Sequence, residues 1–250
     1  MIIRSTIISY LQGEQFSAKI QMELAESENK VLRKTDLIKR LIYNKKIIHL
    51  GCCDHIPLID KKLANDNWIH KKIENNSYQC LGIDINHEAI EFVRKKGFNN
   101  IIYGDITNDK IIDEIVEEKW DFMFMGEILE HIDNPVEFLK KIRKNYQDYI
   151  EKIIITVPNA FAINNYKFAN RNIESINSDH RYWFTPYTLA KIGTVAGYQI
   201  DSFYFTDDIN ERISLIKKLK IIPYLKRKHK IRLLKNKPSL RKTLVMIMSL

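Results

Sequence analysis

The sequence predicts an α/β fold in three layers: a doubly wound, mostly parallel sheet with helices on both faces, preceded by an N-terminal helical arm. Three observations predict it. Short apolar runs recur at 46–50, 79–84, 100–105, 120–127, 152–157 and 198–205, the length of buried strands. Amphipathic stretches with helix-capping residues lie between most of them, and strands alternating with helices make a parallel sheet covered on both sides. The first four runs also end alike, on Gly51, Asp84, Asp105 and Glu127. Ligands of such sheets bind at the carboxyl edge of the strands, where the strand order reverses.

The elements follow in order. Residues 1–44 form the arm, with Ile20, Leu24, Val31, Leu32, Leu37, Ile38, Leu41 and Ile42 near helical spacing between Phe16 and Ile42. Lys46–Leu50 is the first strand. The polar segment 54–76 reads as a loop followed by a helix around Trp68. Gln79–Asp84 is the second strand; Asn86 caps the helix His87–Lys96, and Gly97 supplies its left-handed exit. The third strand, Asn100–Asp105, precedes a helix capped by Thr107 or Asn108. After the fourth strand, Asn134-Pro135-Val136-Glu137 is a helix start with Glu137 reaching back to the cap. The fifth strand stops at Pro158-Asn159. A long loop over 160–184 is rich in Asn and aromatics, Thr185-Pro186 opens a helix ending at Gly197, and Thr243–Met248 is the last strand.

The 250 residues suffice for one large domain with additions. No apolar run approaches the roughly 18 residues of a membrane-spanning helix. The first residues lack the organisation of a secretory signal, so a cytoplasmic protein is expected. Cys52, Cys53 and Cys80 lack paired spacing, which predicts neither a disulfide framework nor a metal site. The net charge of +9 is unevenly placed. Residues 212–250 hold 13 Lys/Arg and no Asp/Glu, leaving 27 basic against 31 acidic residues before them. The basic character therefore belongs to a segment at about 207–238, read as a helical insertion. Peripheral contact with an anionic membrane suits its lysine-flanked apolar residues Ile213, Leu215, Ile216, Leu219, Ile221, Ile222 and Leu225. A nucleic-acid partner is not expected, because no stacking platform or RNA-binding motif accompanies it.

The edge residues suit a nucleotide-type cofactor. Gly51 lets a ligand sit against the backbone. Asp84 can accept hydrogen bonds from two ribose hydroxyls, Asp105 is placed for an adenine amino group, and Glu127 for an ammonium or polar tail. A nicotinamide cofactor is disfavoured, since no G-x-G-x-x-G turn is present.

These stretches resemble the class I S-adenosylmethionine-dependent methyltransferases. His49-Leu50-Gly51-Cys52-Cys53 stands at the family's glycine-rich turn, although only Gly51 of its glycines remains. Leu81-Gly82-Ile83-Asp84 resembles the ribose-binding motif, and Gly104-Asp105-Ile106 the adenine-side motif. Phe122–Pro135, with Glu127-Ile128-Leu129-Glu130-His131-Ile132, resembles the fourth-strand segment. Val157-Pro158-Asn159 and His180–Thr185 look like a subgroup that methylates small molecules. The resemblance implies that residues 45–250 form a methyltransferase-like domain with a seven-stranded sheet, the last strand antiparallel. It implies S-adenosylmethionine at Leu50, Gly51, Cys52, Asp54, Asp84, Ile85, Asp105, Ile106, Gly126 and Glu127. The acceptor would be a small molecule methylated on oxygen, such as a sugar; an RNA methyltransferase and a non-catalytic membrane-associated module are the rival readings.

An acceptor hydroxyl must lose its proton, and histidine is the usual base. His131 and His180 are the candidates, each with a structural reading beside it: His131 fixing the turn before Asn134, His180 lining a pocket. His49 is expected to be packed, and His55 to supply contacts that the missing glycines would. Tyr182, Trp183 and Phe184 either wall the acceptor or belong to the core.

Overall fold

The computed structural model describes residues 5–24, 30–108, 110–209 and 221–250. At its centre, β1 (Lys46–Leu50) pairs in parallel with β2 (Gln79–Asp84) on one side and β4 (Trp120–Gly126) on the other. With β3 (Ile101–Tyr103), β5 (Ile150–Pro158), β6 (Gln199–Thr206) and β7 (Thr243–Ser249), the order is β3-β2-β1-β4-β5-β7-β6. Only β7 runs against the rest, antiparallel to both β5 and β6. The seven-stranded sheet with a reversed last strand is as the sequence implies. Strands covered on both faces must be apolar throughout, which is why β1, β5 and β7 read as unbroken runs rather than alternations.

Alternation decides which layer each residue joins. Ile48, Leu50, Met123, Met125, Ile153 and Ile155 pack in one core with α1 (Ser5–Gln12), α7 (Pro135–Tyr146) and α9 (Pro186–Val195). Ile47, Phe124, Ile154, Val245 and Ile247 point the other way, onto Leu37, Ile38 and Ile42 of α2 (Lys34–Ile42) and Ile73 of α4 (Ile69–Glu74). A third cluster joins Ile59 of α3 (Ile56–Ala64), Trp68, and Ala89, Ile90 and Val93 of α5 (His87–Arg94). The caps at Asn86, Asn134 and Thr185 form as expected, with side-chain oxygens accepting from Ala89 N, Glu137 N and Thr188 N. Gly97 and Gly197 exit their helices at φ +95°.

Five expectations are corrected. The arm is not helical throughout. Gly13 turns the chain at φ +83°, Ser17 bonds its own neighbourhood through Lys19, and Ile20, Met22 and Leu24 are half-buried on alternate residues of an extended segment. A period of two was hidden inside apparent helical spacing. Residues 56–64 are helix rather than loop, begun by Pro57 in the first turn. The helix expected from Thr107 or Asn108 is only α6 (Asp113–Val116). There Asp105 accepts from both Thr107 N and Thr107 Oγ1, closing a turn instead. Glu137 does not reach back to the cap; its carboxylate meets Lys140 at 2.9 Å. Finally, α8 (Ile163–Ala169) interrupts the long loop. None of its residues is buried, so hydrophobic period gave no sign of it.

The basic segment supplies α10 (Ile221–Asn236), which buries Ile231 and Leu234. Arg212, Ile213, Leu215, Ile216 and Leu219 lie outside the described residues. Among the described residues no helix is long and apolar enough to cross a membrane.

Arg241, fully buried, ties this segment down. Its guanidinium donates to Leu234 O at 3.0 Å, Phe205 O at 2.9 Å and Lys30 O at 3.1 Å. Beside it the arm adds a parallel bridge, Leu32 to Thr206. Removing the guanidinium takes a charged donor away from three carbonyls, two of them in the buried interior. Arg241→Met is expected to cost roughly 2–4 kcal/mol of stability, read as a lower urea midpoint; an unchanged midpoint would refute the clamp.

Candidate active site

Because β2 departs to one side of β1 and β4 to the other, the loops after these strands separate and leave a crevice at the carboxyl edge. A cleft of about 490 Å³ occupies it. Gly51, Leu50, Asp84, Ile85, Asp105, Ile106 and His131 all line it, seven of the residues the sequence nominates. Gly51 is in the left-handed region at φ +62°, and a β-carbon there would lie 2.7 Å from Ile128 Cδ1. The turn therefore needs glycine for its backbone angle and for the Ile128 side chain that walls the cleft.

Asp84 ends β2 with both oxygens oriented. Cys53 N donates to Oδ2 at 2.8 Å and Asn86 N to Oδ1 at 3.0 Å. Each oxygen keeps a lone pair for a ligand hydroxyl. Burial lifts this carboxyl above the usual range, opposed by those backbone bonds. Ile85, 68 % exposed at the rim, and buried Ile106 give apolar surface for a flat ring. Asp105, bound to Thr107, sits at the same end.

The other nominated residues are placed elsewhere. Cys52 is buried, with its Sγ 2.9 Å from where a β-carbon on Gly82 would stand. Asp54 is engaged by Lys62 at 2.5 Å. Gly126 does not line the cleft, and a β-carbon on it would meet the Phe124 ring. Glu127, at φ +59°, is held by Lys34 Nζ at 3.1 Å and Thr156 Oγ1 at 3.0 Å. Its carboxylate thus joins the arm to the sheet edge. His55 is an exposed residue at the start of α3. His49 is packed as expected, its Nδ1 3.0 Å from His70 Nδ1. Burial drives both imidazoles down, His70 to about 4, and His49 is lowered by His70 beside it as well, which favours a neutral pair. Phe184 is core, Tyr182 donates to Asp133 O at 2.7 Å and Trp183 to Glu174 at 3.3 Å, so none walls the cleft.

His180 stands just behind the cleft wall. Its ring meets that of His131 edge-on, with centroids 4.7 Å apart. Burial lowers its pKa, and His131 lowers it further. Between them lies Glu130, fully buried on the single turn of 3₁₀ helix Leu129–His131. Burial, then the Glu127 carboxylate, push Glu130 up to about 8. Sequence reasoning gave Glu130 no separate role; its spacing from Glu127 and its place beside His131 were the available signals. The remaining wall, including Thr107, Ile132, Asp133, Asn134, Phe138 and Lys141, comes from the loop after β3 and the start of α7.

Comparison with known proteins agrees with this architecture. A family model described as a methyltransferase domain matches residues 28–202. No curated protein matches the sequence. Among solved structures, the small RNA methyltransferase HEN1 superposes with a TM-score of 0.52 at 13 % identity, covering 94 % of this chain and 27 % of that one. Magnesium protoporphyrin IX methyltransferase from Synechocystis PCC 6803, solved with bound SAH, gives 0.50 at 9 % identity, over 86 % and 81 %. At such identities the likeness is one of fold. The family match spans well over half the sequence, and the seven-stranded sheet with its antiparallel last strand is the one the resemblance implied: the chain belongs to the methyltransferase-domain family, on the class I fold.

Proposed function

We propose that this enzyme transfers a methyl group from S-adenosylmethionine to a hydroxyl oxygen of a small metabolite such as a sugar. The observation that carries the reading is the convergence of Gly51, Asp84 and His131 on one cleft. The cleft volume falls within the roughly 300–1,000 Å³ of small-molecule sites. The residues fit the cofactor: a glycine whose β-carbon has no room, and a buried carboxylate with free lone pairs.

When bound, S-adenosylmethionine supplies a methyl group already activated on sulfonium. The chain's own residues then position, and positioning is much of the catalysis for such a displacement. Asp84 would accept from the ribose hydroxyls, Ile85 and Ile106 would give the adenine apolar surface, and Asp105 and Thr107 would lie at its polar edge. The backbone at Leu50 and Gly51 allows the methionine portion to approach β1. His131 and His180 act on the acceptor hydroxyl, whose proton must leave. The arm, residues 1–44, braces the edge through Lys34 and Glu127, while the insertion at 207–238 contributes no described residue to the cleft. An acceptor that fits a cleft of this size is small, and we assign the basic insertion to an anionic membrane surface.

Three outcomes test this reading. Asp84→Ala should weaken S-adenosylmethionine binding by about 10- to 150-fold, equivalent to the roughly 1.5–3 kcal/mol of hydrogen bonds to a charged group. Calorimetric titration reads it, and equal binding by both proteins would remove Asp84 from the site. The wild-type affinity should also fall on acidification, starting above the ordinary carboxylate range, since Asp84 must be ionised to accept two hydroxyls and its pKa is raised. The Asp84→Ala protein should lack that pH dependence. His131→Ala should lower kcat by about 10²–10⁴-fold with cofactor affinity retained; an unchanged kcat would exclude it from the acceptor side.

A further inference from the structure

We infer that Glu130, His131 and His180 form a binding site for a divalent first-row transition-metal ion, which takes the acceptor's hydroxyl oxygen as a further ligand. The inference deepens the proposed function, resting on its assignment of this wall to the acceptor.

One ligand atom from each of the three residues lies within 4.8 Å of the others. An ion bound at about 2.0–2.2 Å holds its donors roughly 3–4 Å apart, so small side-chain rotations close the set. The three groups face one another without bonding. Glu130 is wholly buried, and neither carboxylate oxygen has a hydrogen-bond partner. His180 Nε2 stands 3.9 Å from Glu130 Oε1, too far for a hydrogen bond. His180 Nδ1 is buried and also lacks a partner. Burying polar atoms unmatched is costly, and Lys34 is bound to Glu127 rather than to Glu130. A common central ion takes one ligand atom from each of the three residues and so matches the Glu130 carboxylate with a cation.

The frame around them is firmly built. Arg181 N donates to Glu130 O at 2.8 Å, Arg181 Nη1 to His131 O at 2.6 Å, and its Nε pairs with Asp133. Tyr182 adds its bond to Asp133 O. These contacts hold the His180 loop against the turn carrying Glu130 and His131. By contrast Cys52, Cys53 and Asp84 are equally close, but Asp84 already accepts two backbone N–H groups.

Two imidazoles and one carboxylate select ions such as zinc, manganese, iron or cobalt over magnesium and calcium, which favour oxygen donors. Three protein ligands leave coordination positions open, as in catalytic sites. His131 lines the cleft, so those positions face the acceptor. Bound there, an acceptor hydroxyl is acidified by the ion and releases its proton to solvent. Its oxygen pair then forms the bond to the methyl carbon as the carbon–sulfur bond breaks and its pair returns to sulfur.

The test titrates the chelator-stripped full chain with Co²⁺, with neither cofactor nor acceptor present. One tightly bound equivalent with visible ligand-field absorption, displaced by Zn²⁺ but not Mg²⁺, is expected. Glu130→Gln and His180→Ala should each weaken it by at least about 100-fold, with S-adenosylmethionine affinity unchanged. Absence of a bound equivalent in the wild type, or equal Co²⁺ affinity in both variants, would overturn the site. If Glu130→Gln does not fold, His180→Ala on its surface loop decides the matter. Asp84→Ala should keep the Co²⁺ site while losing the cofactor, so that failure of one reading is separable from failure of the other.

Discussion

The backbone amide of Cys53 donates to Asp84, and this contact joins the ends of two adjacent strands. It fixes the turn after β1 against the end of β2, so that Gly51 and the carboxylate look into the same space. The bond is possible only because β1 and β2 are parallel and in register, with Leu50 opposite Ile83. That register in turn follows from two strands buried on both faces, where a one-residue slip would turn His49 and its neighbours into the wrong layer. The ligand-binding geometry is thus a by-product of core packing, and the carboxylate needs no partner cation to hold its orientation.

Much of this was legible in the chain. Strand runs ending in glycine or an acid are local signals, and so are the caps at Asn86, Asn134 and Thr185. The clearest losses have physical reasons. The arm failed because Ile20, Met22 and Leu24 serve an extended segment, and a few apolar residues satisfy two periods at once. The helix at 163–169 failed because it buries nothing. At the site, Glu127 looked like a ligand-binding acid because it ends a strand. Its partner Lys34 lies 93 positions earlier, a separation that no local pattern reports. Glu130 was harder still. Nothing in an acid beside a histidine says that it will be sealed from water, and only the packing of the His180 loop over it does so.

The two walls of the cleft are built differently. On the β1–β2 side both Asp84 oxygens accept from backbone N–H groups, which hold the carboxylate. On the other side Glu127 carries a left-handed backbone, and Glu130 and His180 keep buried polar atoms without partners. Such groups occur elsewhere in the described residues too, but here a strained backbone and three unmatched buried atoms meet beside one cleft. The sheet beneath is saturated with large apolar side chains, which is where the cost of that wall is offset.

The insertion of β7 between β5 and β6 bears on how the molecule is assembled. Of the described strands, β7 leaves the ribosome after all the others, yet it sits one place inside the sheet. Until it arrives, β5 presents an unpaired and strongly apolar margin, and β6 has nothing in the layer to pair with. A nascent chain therefore carries a sticky flank from the completion of β5 until β7 emerges. Closure requires threading an antiparallel ribbon into a gap rather than adding one at a border, which makes the arrival of β7 the slowest and most aggregation-prone step in completing the sheet.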